Sequence, residues 1–187
     1  DVATIRQLLN HTSGIAGSGN DETVDLFNDP IAERTIETLF ENYVYGKPAL
    51  FPPGTDYSYC NTGYSLLGLI VEKASEMSLG EYFEQEIGGP LNLVNTFYTA
   101  SPDYPDEIPN KINGYYEAFP GKLINCSDML AAVDRTRSVE SDIWASPYEY
   151  ARFIQELMRG NIIDSSTVAM MHSDEEVTWE NHKKYGY

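Results

Sequence analysis

The stretch "FPPGTDYSYCNTGYSLLGLIVEKAS", residues 51–75, decides the fold. Pro52-Pro53-Gly54 breaks the chain into a turn, because two residues of fixed φ run into one free to take either sign. After Asn61 the pattern becomes helical: Leu66, Leu67, Ile70, Val71 and Ala74 keep one face apolar. Tyr59-Cys60-Asn61 stands between turn and helix. Side chains at i and i+2 of an extended segment leave on the same side. The phenol of Tyr59 and the carboxamide of Asn61 are therefore expected to share one space, with Cys60 turned into the core as a small hydrophobe. Asn61 is also suited to cap the helix that follows.

Outward from this stretch, helices alternate with turns. Thr4-Ile5-Arg6-Gln7 has the spacing of a capping box. It opens a short helix carrying Leu8 and Leu9, and Gly14 can close the turn after it. Ser13 has no Lys or paired acid to activate it, so it is read as a turn residue, and His11 is expected to hydrogen-bond within that same turn. Asp29-Pro30 reads as N-cap and first helical position, with Ile36, Leu39, Phe40 and Tyr43 at helical spacing and Gly46 at the end. Ser78-Leu79-Gly80-Glu81 is a further capping box, and Gly88-Gly89-Pro90 is expected to stop its helix. Between Asn92 and Asp142 the pattern weakens, and Pro102, Pro105 and Pro109 argue for loop. Within it, "INGYYEAF" and "KLINC" flank Pro120-Gly121 as a small hairpin or two short strands, and 127–134 reads as a helical turn. Ser146-Pro147-Tyr148-Glu149 combines an N-cap, a proline at the first position and a glutamate at the third. Ser165-Ser166 begins a last helix through Met171. The whole, 1–187, reads as a single helical domain, mainly α with minor β.

The 187 residues carry a formal net charge of -17, which repels phosphate backbones, so a nucleic-acid partner is not expected. The densest acidic run, residues 173–177, reads as a solvated loop. The longest apolar run, Leu66 to Val71, falls far short of the ~20 residues of a membrane span. Cys60 and Cys126 are too few and too far apart for a disulfide framework or a zinc site and read as free thiols. His11, His172 and His182 form no metal-binding motif.

"TIRQLLNHTSGI" (4–15), the stretch at 51–75, "PLNLVNTFY" (90–98) and "SPYEYARFIQELMRGNIID" (146–164) together resemble the serine β-lactamase and penicillin-binding-protein family. The nearest branch is the class C-like one, which includes D-Ala-D-Ala carboxypeptidases, D-aminopeptidases and esterases. The resemblance implies a two-domain fold: an α/β domain made from both chain ends, with a helical domain inserted between. It implies a cleft where Ser-x-x-Lys, Tyr-x-Asn and Lys/His-x-Gly motifs meet. It also implies an acyl-enzyme reaction on a β-lactam, a D-Ala peptide or a small ester or amide, without a cofactor. By this resemblance Tyr59-Cys60-Asn61 is the second motif, with Tyr59 and Asn61 as catalytic residues.

No serine here has a lysine three residues on, and no Lys/His-x-Gly strand follows Tyr185-Gly186-Tyr187. The expectation is therefore a middle fragment of a larger protein, most of whose α/β domain is absent, inactive alone and open to self-association where that domain would dock. The whole protein is expected to be exported or membrane-anchored, although cytoplasmic esterases share the fold. At Ser141-Asp142-Ile143-Trp144, where many relatives carry Gly-Gly, Asp142 brings a carboxylate toward the expected cleft and is a candidate substrate-binding residue. The alternative is a non-catalytic binding or sensor relative, and the presence of Ser-x-x-Lys in the whole protein decides between the two.

Overall fold

The structure, a computed structural model, describes residues 2–17, 28–29, 35–99, 101, 105, 107–127, 143–173, 178–179 and 183–184. Helix α1 (Ile5–Leu9) opens at Thr4 with the predicted reciprocal box: the Thr4 hydroxyl accepts the Gln7 amide (3.3 Å) and the Gln7 carboxamide accepts the Thr4 amide (2.9 Å). Helix α2 (Ile36–Tyr43) starts after Thr35. Its box is built from Thr35 and Thr38, a threonine taking the glutamate's place. The start expected at Pro30 lies outside the described residues.

Helix α3 (Asn61–Ser75) begins one residue earlier than expected. Cys60 occupies the cap position and makes no side-chain cap, so Asn61 is the first helical residue and not the N-cap. The face of α3 that disappears completely is also not the leucine face. Thr62, Gly63, Ser65 and Gly68 are buried, while Leu66 and Leu67 are half-buried and Ile70 is 38% exposed. Small residues let α1 approach: a Cβ placed on Gly63 would sit 3.5 Å from the Leu8 carbonyl. The Tyr64 hydroxyl ties the same pair by donating to the Leu9 carbonyl (2.9 Å).

Helix α4 (Leu79–Phe83) carries the predicted Ser78–Glu81 box. It does not stop at Gly88-Gly89-Pro90. The chain widens into a π turn (Glu84–Gly88) and continues as α5 (Gly89–Leu91) until Asn92 turns left-handed at φ 51°. The Gly89 amide reaches the Glu84 carbonyl, and any Cβ on Gly89 would lie 2.8 Å from that oxygen. The absent side chain makes the wide turn feasible, and Pro90 falls where a new helix turn needs no amide donor.

Strand β1 (Thr96–Tyr98) pairs antiparallel with β4 (Ile143–Ala145), Phe97 opposite Trp144. Three residues are too few to show alternation, and this pair lay in the segment read as loop. Strands β2 (Tyr115–Phe119) and β3 (Lys122–Asn125) form the predicted hairpin around Pro120-Gly121. Helix α6 (Pro147–Met158) and helix α7 (Ser165–Met171) follow, and β5 (Thr178–Trp179) pairs with β6 (Lys183–Lys184). Asp164 caps α7 by accepting the Ser166 and Thr167 amides and both hydroxyls, which hold its carboxyl well below the usual carboxylate range. The predicted turn at 127–134 and the acidic run at 173–177 lie, but for Ser127 and Ser173, outside the described residues.

Among the described residues helices dominate, and the strands form three two-stranded pieces. The core is built from Leu8, Phe40, Cys60, Phe83, Leu93, Tyr98 and Val168. None of the described helices is long and apolar enough to cross a membrane, and no described cluster of His, Cys, Asp or Glu could hold a metal. Both cysteines are free, Cys60 buried and Cys126 half-buried.

Candidate active site

The four sequence blocks meet in two joints. In the first, the turn after α1 runs alongside the segment before α3. The His11 carbonyl accepts the Ser58 amide (3.0 Å), the Thr12 carbonyl the Gly54 amide (2.8 Å) and the Gly14 carbonyl the Leu50 amide (2.8 Å). Gly14 has φ 71°, and a Cβ there would stand 2.1 Å from the Phe51 carbonyl oxygen. Only glycine accommodates both the left-handed backbone and that approach. Ser13 is buried and accepts the Ile15 amide (3.3 Å), which is the turn role expected of it.

Within its own turn His11 donates its amide to the Leu8 carbonyl (3.4 Å), and its side chain reaches across to the second segment. Its backbone is left-handed, φ 60°, and its side chain is buried beneath the Tyr-x-Asn segment. Nδ1 accepts the Cys60 amide (3.2 Å). The ring packs 4.4 Å from that of Tyr59, 5.3 Å from Tyr64 and, edge-on, 5.9 Å from Tyr57. A ring nitrogen that accepts an amide carries no proton. Burial pushes the imidazole pKa below its ordinary value.

Cys60 is extended (φ -148°, ψ 106°) and 5% exposed, whereas Tyr59 is 60% exposed and Asn61 is exposed. The segment therefore leaves a phenol and a carboxamide exposed and buries the thiol between them. Such a pair offers a hydroxyl that can donate or accept, together with an amide that can do both at once. Asp142 lies outside the described residues. Its neighbours Ile143 and Trp144 sit on β4, and the Lys111 ammonium stands 3.7 Å from the centroid of the Trp144 ring.

The second joint is made by Glu149, whose side chain turns away from the N-cap of its own helix. Ser146 does cap α6, accepting the Glu149 amide (3.3 Å). The Glu149 carboxylate instead turns into the fold, 4% exposed. It accepts the Asn95 amide at both oxygens (3.0 and 2.8 Å), the Asn95 carboxamide (3.1 Å) and the Thr96 hydroxyl (2.7 Å). The Ser146 amide donates to the Asn95 carbonyl (3.0 Å) beside it. This joint locks "PLNLVNTFY" onto the start of α6.

Sequence reasoning missed both ties, because each joins residues about fifty apart through one side chain. It also passed over Lys184-Tyr185-Gly186, which spells the Lys-x-Gly pattern; Lys184 lies on β6 opposite Thr178, and Tyr185 and Gly186 are outside the described residues.

Comparison with known families settles the ancestry. The Beta-lactamase family profile matches residues 2–184. The chain belongs to the Beta-lactamase family. This family member is similar to penicillin-binding protein 4 of Amycolatopsis lactamdurans, 38% identical over 93 residues, 49% of this chain and 22% of that protein. Its fold is similar to that of a penicillin binding protein from Bacillus halodurans, with TM-score 0.77, 24% identity, and 99% of this chain matched to 56% of that one. A D-stereospecific amidohydrolase from Streptomyces sp. gives TM-score 0.76 and 22% identity, with 98% of this chain matched to 55% of that one. The chain spans about a quarter of the length of the curated relatives it matches and about half of these solved chains. The β-lactamase and penicillin-binding-protein-like fold is thus that of this chain.

Proposed function

We propose that this chain is the Tyr-x-Asn part of a serine hydrolase that works through an acyl-enzyme on a β-lactam, a D-Ala peptide or a small ester or amide. The observation that carries the reading is the exposure of Tyr59 and Asn61 on either side of buried Cys60. In this reading the nucleophilic serine of a Ser-x-x-Lys motif belongs to the same polypeptide outside these 187 residues. Its hydroxyl is a weak nucleophile until a base takes the proton. Tyr59 as phenolate accepts that proton while the serine oxygen attacks the carbonyl carbon. The phenol then returns the proton to the departing amine or alkoxide, leaving an ester on the serine. Water repeats the two transfers and restores the free serine. A phenol of pKa about 10 serves this role near neutrality only beside cations. The chain itself carries 12 Lys and Arg against 29 Asp and Glu, a balance that works against a phenolate, so the lysine of Ser-x-x-Lys is the natural source. Asn61 holds the substrate amide. The partly bare face of α3 at Ile70, and Ile154 and Met158 on α6, take part in docking the rest of the polypeptide.

The test is intact-mass analysis after incubation with a penicillin, a p-nitrophenyl ester and a D-Ala-D-Ala peptide. The polypeptide that includes Ser-x-x-Lys should gain an acyl group on that serine, while the 187-residue chain should gain none. An adduct on any serine of this chain would overturn the assignment.

A further inference from the structure

We propose that His11 is the positioning residue for Tyr59, fixing the phenol's direction by gripping the backbone on both sides of it and backing its ring. The proposal rests on the reading of Tyr59 as a working residue, but its geometry stands by itself. The His11 carbonyl takes the amide of residue 58 and the His11 ring takes the amide of residue 60, at 3.0 and 3.2 Å. Tyr59 is therefore bracketed by two bonds to one partner. The same ring lies 4.4 Å from the Tyr59 ring, tilted by 42°, and Tyr64 from α3 and Tyr57 contact it in turn. A phenol that is 60% exposed has little packing of its own to hold it. The stiffness must come from beneath, and His11 is the group in contact there.

The backbone supports the same view. A left-handed φ is uncommon outside glycine and persists where surroundings over-determine it. At His11 it lets the carbonyl and the side chain of one residue serve two amides two positions apart. The hydrogen bond and the ring contact can be separated by substitution. His11→Asn places a carbonyl oxygen where Nδ1 stands, tolerates positive φ and removes the ring. His11→Phe keeps a ring and removes the acceptor.

The chain has two cysteines, so a sample labelled with 15N only at cysteine shows two amides. Cys126, which donates to the Gly114 carbonyl (2.9 Å) in the hairpin, is an internal control. In His11→Phe the Cys60 amide should exchange at least about tenfold faster while Cys126 is unchanged, the loss of one net hydrogen bond. In His11→Asn the Cys60 amide should stay protected, and the Tyr59 ring resonances in a 13C-tyrosine sample should move toward those of free tyrosine. Unchanged Cys60 exchange in His11→Phe, or unchanged Tyr59 resonances in His11→Asn, overturns the proposal. Should His11→Phe fail to fold, the His11→Asn arm still decides it. In the longer polypeptide His11→Asn should lower kcat with KM held, by up to about 100-fold, since misplaced catalytic groups cost on that order. The labelling experiments need no turnover. A polypeptide that proves inactive would therefore sink the hydrolase reading and leave the His11 result intact.

Discussion

Replacing Glu149 by Gln should destabilise the chain by about 3 kcal/mol. The carboxylate accepts from three donors: the Asn95 amide, the Asn95 carboxamide and the Thr96 hydroxyl. Hydrogen bonds to a charged group are worth roughly 1.5–3 kcal/mol each, and neutral ones roughly 0.5–1.5 kcal/mol. Gln keeps the shape but lowers the surviving bonds to the neutral range. It also turns an NH2 group, which accepts nothing, toward donors. One buried donor is left without an acceptor, at a further cost of about 1–3 kcal/mol. Relief from burying a charge offsets part of the sum. The measurement is urea unfolding followed by far-UV circular dichroism, with the denaturant slope unchanged so that the midpoint shift reports stability. A double-mutant cycle with Thr96→Val should show coupling above about 1 kcal/mol, because the two residues share a network. A loss below about 0.5 kcal/mol for Glu149→Gln, or additive singles, would refute the claim that Glu149 joins the two blocks.

Gly14→Ala should cost more than about 2 kcal/mol in the same assay, since the left-handed backbone alone costs roughly 1–2 kcal/mol and the methyl also meets the Phe51 carbonyl. A thermal midpoint within about 2 °C of the parent would contradict the close approach. His11 supplies a pH test. Its folded pKa is lowered, so below about 6.5 the unfolded chain takes up the proton first and stability falls as pH drops from there toward the folded pKa. The stability difference between the native chain and His11→Asn should shrink between pH 7 and pH 5, by no more than about 1.4 kcal/mol per pH unit. A difference constant over that range would show that His11 does not titrate as a buried neutral imidazole.

What the sequence revealed, and what it hid, follows from the range of the interactions. Capping boxes at Thr4–Gln7 and Ser78–Glu81, the Ser146-Pro147 start and the Pro120-Gly121 hairpin are set within a few residues, and the structure has them where the spacing puts them. The alternation at 59–61 is equally local: an extended residue between an exposed tyrosine and an exposed asparagine. Hydrophobic periodicity found α3 but not its buried face, because α1 approaches over Gly63, where the lack of a side chain matters more than hydrophobicity. Gly88-Gly89-Pro90 looked like a stop, although glycine without a Cβ also permits a π turn. The pairing of Thr96–Tyr98 with Ile143–Ala145 and the grips of His11 and Glu149 depend on residues far apart in the chain, which no local pattern encodes.

The most direct test of the account is the acylation rate of the polypeptide carrying Ser-x-x-Lys, with Tyr59 and with Tyr59→Phe, measured by rapid-quench mass spectrometry with one activated ester or penicillin. The substitution keeps the ring against His11 and removes only the hydroxyl. If Tyr59 moves the serine's proton, acylation should slow by about 10²–10⁴-fold, the usual worth of a positioned acid–base group, while urea unfolding is nearly unchanged. Equal acylation rates for the two proteins would contradict the assignment of Tyr59 to the chemistry.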